Sequence, residues 1–175
     1  MASSIFQSRA ELLEKIGSSF DESLMDAVTL VVDSVNKEGV LYFVGNGGSA
    51  AEAQHMSAEY IATLDRKNFR NGIRSHALTV DTSFLTAWTN DFGYDEVFSR
   101  QLETLGRYGD VLFAYSTSGS SKNVVRCGEV AKLLGIRVIG FTGEKEGDLS
   151  SLSDVCFRVP SNKTALIQEI HTMLG

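Results

Sequence analysis

The chain is poor in the residues and patterns that would tie it to several common functions. It has only two cysteines, Cys127 and Cys156, far apart and outside any C-x-x-C pattern, which points to a reduced, cytoplasmic setting. No block of Lys or Arg is present, and the net charge is 16 − 22 = −6, which argues against a nucleic-acid surface. No apolar run approaches the roughly eighteen residues of a membrane span. The opening MASSIFQSRAELLEK lacks the apolar core of an export signal, so a soluble, non-exported protein is expected. Both nucleotide fingerprints, G-x-G-x-x-G and G-K-[ST], are missing. What remains is an ordinary globular composition, 43% hydrophobic and 22% charged over 175 residues, enough for one domain with a substantial core.

The stretch Leu41 to Ala62 organises the rest. Val40 to Val44 are apolar and read as a strand buried on both faces. Gly45-Asn46-Gly47-Gly48-Ser49 follows, a tight turn in which glycine lets backbone approach a ligand. A helix starts there, with Ser49 as its predicted N-cap. A strand, a glycine turn and a helix N-terminus together suit an anion or a sugar oxygen. His55 and Glu59, at i and i+4, share a helix face. They read either as a grip on one metal or substrate or as an ordinary helical pair.

Two helices are expected before this strand, over residues 5–19 and from an Asp21 N-cap to about Asn36. The apolar stripe of the second, Leu24, Val28, Val31, Val32 and Val35, calls for a partner surface, either a sheet face or another subunit. After the central helix, residues 65–75 read as a basic loop and 76–80 as a second strand. A further helix is expected from Asp81, broken over 88–94, where Asn90 and Asp91 fit a turn or a ligand contact, and resuming over 95–105. Residues 111–115 form a strand, and Ser116-Thr117-Ser118-Gly119-Ser120-Ser121 then leads into a helix. Five hydroxyls in six residues at a strand-to-helix turn predict a phosphate site. Strands at 138–141 and 154–159 complete a parallel sheet with helices on both faces, whose ligands bind at the carboxyl ends of the strands. The final segment, 164–175, reads as a helix that stops in mid-course and predicts a C-terminal helix cut short at Gly175.

GNGGSAAEAQH followed by Glu59, then NDFGYDEVFSRQ, STSGSS and IQEIH, in this order, resemble the SIS (sugar isomerase) domain family, with the phosphoheptose isomerases as the nearest branch. The resemblance spans about residues 20–175. It implies a flavodoxin-like three-layer αβα sandwich with a five-stranded parallel sheet, preceded by N-terminal helices. It also implies a homotetramer with sites shared between subunits. Asn46, Gly47, Gly48 and Ser49 would contact the sugar, with Asn90 and Asp91 lining the same pocket. Ser116, Thr117, Ser118 and Ser121 would cradle the phosphate. Zinc would be held by His55, Glu59 and Gln168, the last also beside the substrate, and by a second His that the family places one position past Gly175. His171 is weighed as a further ligand against a packed helix residue. The chain departs from the family pattern at Thr63, in place of an Arg, and at Ala165, in place of an Asp, and no role passes to either residue.

The implied reaction is aldose–ketose isomerisation through an enediolate, with Glu59 as the base, zinc as the electrophile and the His beyond Gly175 as the acid. The competing reading is a non-catalytic SIS module that binds sugar phosphates or associates with the replication initiator DnaA. That relative lacks the metal-binding Glu, which this chain keeps as Glu59.

Overall fold

Leu41, Tyr42, Phe43 and Val44 are each at most 3% exposed, so the strand they form, β1 (Leu41–Val44), has no solvent face. The other strands are β2 (Ser75–Ala77), β3 (Val111–Tyr115), β4 (Arg137–Thr142) and β5 (Val155–Arg158). All pair in parallel, in the spatial order β2-β1-β3-β4-β5. The computed structural model describes residues 2–63 and 65–175; Met1 and Leu64, both inside the predicted single domain, lie outside them.

Alternation along the strands sends two sets of side chains to opposite faces. On one face Phe43, Phe113, Phe141 and Phe157 form an aromatic ladder across four strands, with ring centroids 4.6, 6.2 and 5.1 Å apart. This face is covered by α2 (Asp21–Asn36), α3 (Gly48–Ile61) and the end of α8 (Thr164–Leu174). On the other, Tyr42, Val44, Leu112, Ala114 and Val138 pack against α4 (Thr82–Phe92), α5 (Ser99–Leu105), α6 (Lys122–Leu134) and α7 (Asp148–Leu152). The result is the expected three-layer αβα sandwich. The first helix, α1 (Ala2–Ile16), buries Leu12 and Ile16 against Leu166, Ile167 and Ile170 of α8, and Arg9 pairs with Glu169.

The α2 stripe serves both expected purposes. Ala27, Leu30 and Val31 cover the sheet, while Leu24, Met25, Val28 and Val32 stay 40–65% exposed.

Several boundaries differ from the sequence reading. The helix after β1 starts at Gly48, with Gly47 as N-cap, so Ser49 lies inside the first turn and is buried. Gly47 adopts φ +56°, which turns the chain before Ser49 can cap it. α4 runs unbroken through Asn90 and Asp91 to Phe92, because Phe84, Trp88 and Phe92 stack one turn apart, at 5.6 and 4.4 Å, and Gly93 stops it. The start at Asp81 is as expected, its carboxylate accepting from the Phe84 amide at 3.0 Å. Helix resumes only at Ser99, since Asp95 and Glu96 turn outward to pair with Lys122 and Arg126. β2 ends at Ala77, and α7 had no expectation.

Candidate active site

The order β2-β1-β3-β4-β5 reverses chain direction between β1 and β3, and the loops leaving these two strands open a crevice at their carboxyl ends. The first loop is the glycine turn, the second the hydroxyl-rich one, so the topology brings the two sequence-predicted loops side by side.

In the hydroxyl-rich loop, the buried Ser116 hydroxyl lies 3.4 Å from that of Ser118 and donates to that of Ser121 at 3.0 Å. The Ser120 amide donates to the Ser118 hydroxyl at 3.2 Å, and the Ser121 amide approaches the Ser116 hydroxyl at 3.4 Å. Three hydroxyls thus converge at the start of α6. Thr117 contributes its carbonyl, which accepts from the Gly143 amide at 3.2 Å and ties the loop to the end of β4.

In the glycine turn, the amides of Ser49 and Ala50 bond back to the carbonyls of Asn46 and Gly47 at 3.0 and 3.1 Å. Those amides are therefore engaged within the turn, and the anion-binding character sits mainly in the second loop. The side chain of Asn46 forms a reciprocal amide pair with Asn123 of α6: Asn46 Nδ2 donates to Asn123 Oδ1 at 2.8 Å, and Asn123 Nδ2 donates back to Asn46 Oδ1 at 2.9 Å. The Tyr94 hydroxyl donates to the same Asn46 Oδ1 at 2.9 Å. Neither Asn123 nor Tyr94 was singled out by the sequence. Their signal was weak, because an Asn early in a helix and a Tyr beside a glycine both read as surface residues.

Asn90 and Asp91 are exposed on the last turn of α4 and bond to each other at 2.8 Å. Through the turn at Gly93 it is Tyr94 that reaches the glycine loop.

Gly48, Glu52, His55 and Glu59 recur at steps of four, three and four along α3, which sets them on one stripe. α8 lies along the first half of this stripe. Thr172 Oγ1 donates to Glu52 Oε2 at 2.7 Å, and Gly175 lies against Met56. The Gln168 amide packs on Gly48 so closely that a Cβ there would stand 2.6 Å from Gln168 Nε2. His55 Nδ1 and Glu59 Oε1 are 4.0 Å apart, with side chains 58% and 40% exposed. Gln168 is thus seven residues from His55 along α3, about 10 Å of helix rise. Within one chain the structure brings His55 and Glu59 together and keeps Gln168 at the other end of the stripe. An imidazole nitrogen and a carboxylate oxygen on one helix face are suited to zinc. Among the described residues, no group of three or more His, Cys, Asp or Glu side chains comes together.

His171 is a packed core residue. It is 1% exposed, its Nε2 faces the Thr142 carbonyl at 3.2 Å, and its ring stands against Tyr115 and Phe141. Burial lowers its pKa to about 4, only partly offset by the bond to Thr142. The basic loop contributes a structural contact: Arg70 donates to the carbonyls of Glu59 and Tyr60, at 3.1 and 2.9 Å, and so caps the end of α3. Thr63 bonds only to the nearby Asp65 carbonyl, at 3.2 Å, and Ala165 is exposed on α8.

Comparison with known proteins agrees with this layout. A SIS domain profile matches residues 5–143. A phosphoheptose isomerase of Paramagnetospirillum magneticum is 47% identical over 166 residues, 95% of this chain and 85% of that protein. The structure of a phosphoheptose isomerase from Neisseria gonorrhoeae superposes with a TM-score of 0.91 at 37% identity, covering 99% of this chain and 91% of that one. One from Francisella tularensis gives 0.93 at 30% identity, with the same coverage. Among the described residues no helix is long and apolar enough to cross a membrane. With its hydroxyl cradle and its glycine turn meeting at the β1/β3 crevice, the chain belongs to the SIS domain family, in the phosphoheptose isomerase branch, and is a phosphosugar isomerase.

Proposed function

We propose that the protein converts sedoheptulose 7-phosphate to D-glycero-D-manno-heptose 7-phosphate through an enediolate. The observation that carries this reading is the convergence of Ser116, Ser118 and Ser121 beside a glycine turn that opens the helix bearing His55 and Glu59. The hydroxyls hold the phosphate and fix the sugar chain in the crevice. Gly47 and Gly48 let backbone approach the sugar, and Asn46 offers it an amide hydrogen. Glu59 takes a proton from C1 of the ketose and returns it to C2. Its partly exposed position leaves it accessible to substrate.

His55 and Glu59 would hold zinc, with Gln168 as a further ligand. Bound zinc supplies a Lewis acid for the carbonyl and hydroxyl oxygens of the sugar. The roughly 10 Å of α3 between the level of Gln168 and that of His55 favours a shared site, in which Gln168 serves the pair of a neighbouring copy. The exposed apolar residues of α1 and α2, Phe6, Met25, Val28 and Val32 among them, supply a surface for such a homotetramer.

The test is isomerisation of sedoheptulose 7-phosphate followed by NMR, with and without added zinc. Turnover that falls with chelation and returns with zinc is the expected result, and no turnover under any metal condition would overturn the reading. A second test addresses sharing. His55→Ala and Gln168→Ala proteins, each inactive alone, regain part of the activity when refolded together. Failure to do so in verified mixed oligomers would place each site within one chain.

A further inference from the structure

The polarity of the Asn46 side chain is set by a chain of hydrogen bonds that begins at a backbone amide. The Val124 amide can only donate, and it donates to Asn123 Oδ1 at 3.0 Å. That fixes which end of the Asn123 amide is oxygen. Asn123 Nδ2 must then face Asn46, and its acceptor is Asn46 Oδ1 at 2.9 Å. Asn46 Nδ2 in turn donates to Asn123 Oδ1 at 2.8 Å. With Asn46 Oδ1 already defined as an acceptor, the Tyr94 hydroxyl at 2.9 Å is its second donor. The oxygen of Asn46 has both lone pairs engaged, and its nitrogen has spent one of two hydrogens.

We infer that Asn123 and Tyr94 are positioning residues for the sugar: together they lock Asn46 so that it presents a single N–H to the substrate and no acceptor. Asn46 then recognises an oxygen lone pair on the sugar, either a carbonyl or a hydroxyl acting as acceptor. Asn123 is 3% exposed, and its amide pair joins the loop after β1 to the helix after β3, across the crevice at which the sheet changes direction. Tyr94 is 49% exposed and leans edge-on against Phe98 at 6.1 Å, so its hydroxyl closes the open side of the pair. The two residues do different work: Asn123 sets the orientation of Asn46, and Tyr94 holds that orientation against rotation towards solvent. The phosphate is held by other groups, the serine hydroxyls, and its binding does not depend on this lock.

This inference rests on the sugar-phosphate reading above and makes a separable prediction. Calorimetric binding of sedoheptulose 7-phosphate and of inorganic phosphate is compared for the wild type, Asn123→Leu and Tyr94→Phe. Loss of a buried, oriented hydrogen bond predicts that Asn123→Leu weakens the sugar phosphate about tenfold, and that loss of the exposed hydroxyl in Tyr94→Phe weakens it about threefold. Both variants bind inorganic phosphate within about twofold of the wild type, because a uniform change would signal only a disturbed loop. Tyr94→Phe alters an exposed hydroxyl and keeps the ring, so it remains informative if Asn123→Leu does not fold. Sugar binding unchanged in Tyr94→Phe, or a parallel loss of sugar and inorganic phosphate, overturns the inference. If the wild type turns over the sugar while the variants match it, only the lock falls; if the wild type neither binds nor isomerises the sugar, the functional reading falls with it.

Discussion

The two ends of the same sheet are built on opposite principles. At the amino ends, carboxylates close the strand starts. Asp110, 3% exposed, accepts from the amides of Val40 and Arg107 at 2.8 and 2.7 Å, and so pins β1 to β3. Asp154 accepts from the Val138 amide at 2.8 Å and from Arg137 and Lys132, joining β4 to β5. Burial works to raise the Asp154 pKa, and the Val138 amide, Arg137 and Lys132 outweigh it and bring it below the usual value. At the carboxyl ends, the groups are hydroxyls, amides and glycines, several with hydrogen-bonding capacity left over. One edge spends its polar groups on the fold and the other keeps them for a ligand. The lesson is that buried charge alone does not mark the site; spare capacity does.

The sharpest way to test this division is at Glu59. Glu59→Gln should lower kcat by about 10²–10⁴-fold, the worth of a positioned base, and leave the thermal midpoint unchanged. Near-normal turnover would remove Glu59 from the chemistry. At the opposite edge, Asp110→Ala leaves two buried amides without an acceptor and should cost about 2–3 kcal/mol in urea unfolding. The kcat of the folded fraction should stay at the wild-type value, and a fall in kcat would blur the division.

His171, beneath the functional edge, offers a pH test. Its folded pKa is about 4, below the ordinary value of 6.5. Below pH 6.5 the unfolded chain takes up a proton that the folded chain refuses until about pH 4, so stability is lost as pH falls through that window. The linked loss reaches up to about 3 kcal/mol. His171→Gln should flatten the dependence between pH 6.5 and 4, and an unchanged slope would assign it to other groups. Smallest of the four, Ser121→Ala should raise the KM for the sugar phosphate by up to about tenfold through one lost hydrogen bond, with stability within about 0.5 kcal/mol of wild type. A KM unchanged by Ser121→Ala would take that hydroxyl out of the cradle.

The strands were legible because burial on both faces leaves uninterrupted apolar runs, as at Val111 to Tyr115. The two special loops were legible because glycine and clustered hydroxyls are hard to explain as connectors. Helix limits near aromatic side chains were not: Asn90 and Asp91 look like turn residues, yet the Phe84–Trp88–Phe92 stack carries the helix past them. Asn123 and Tyr94 escaped notice because their roles depend on the neighbour across the crevice, and no local pattern encodes that neighbour. The level of Gln168 was likewise hidden, since spacing along the chain does not say where α8 lies along α3.

Gly48 and Gln168 are separated by most of the chain, yet the amide of one fills the space a β-carbon on the other would need. The two positions therefore form one unit of variation. A lineage that acquires alanine at 48 must first shorten or redirect the side chain at 168, and each change alone passes through a less fit intermediate.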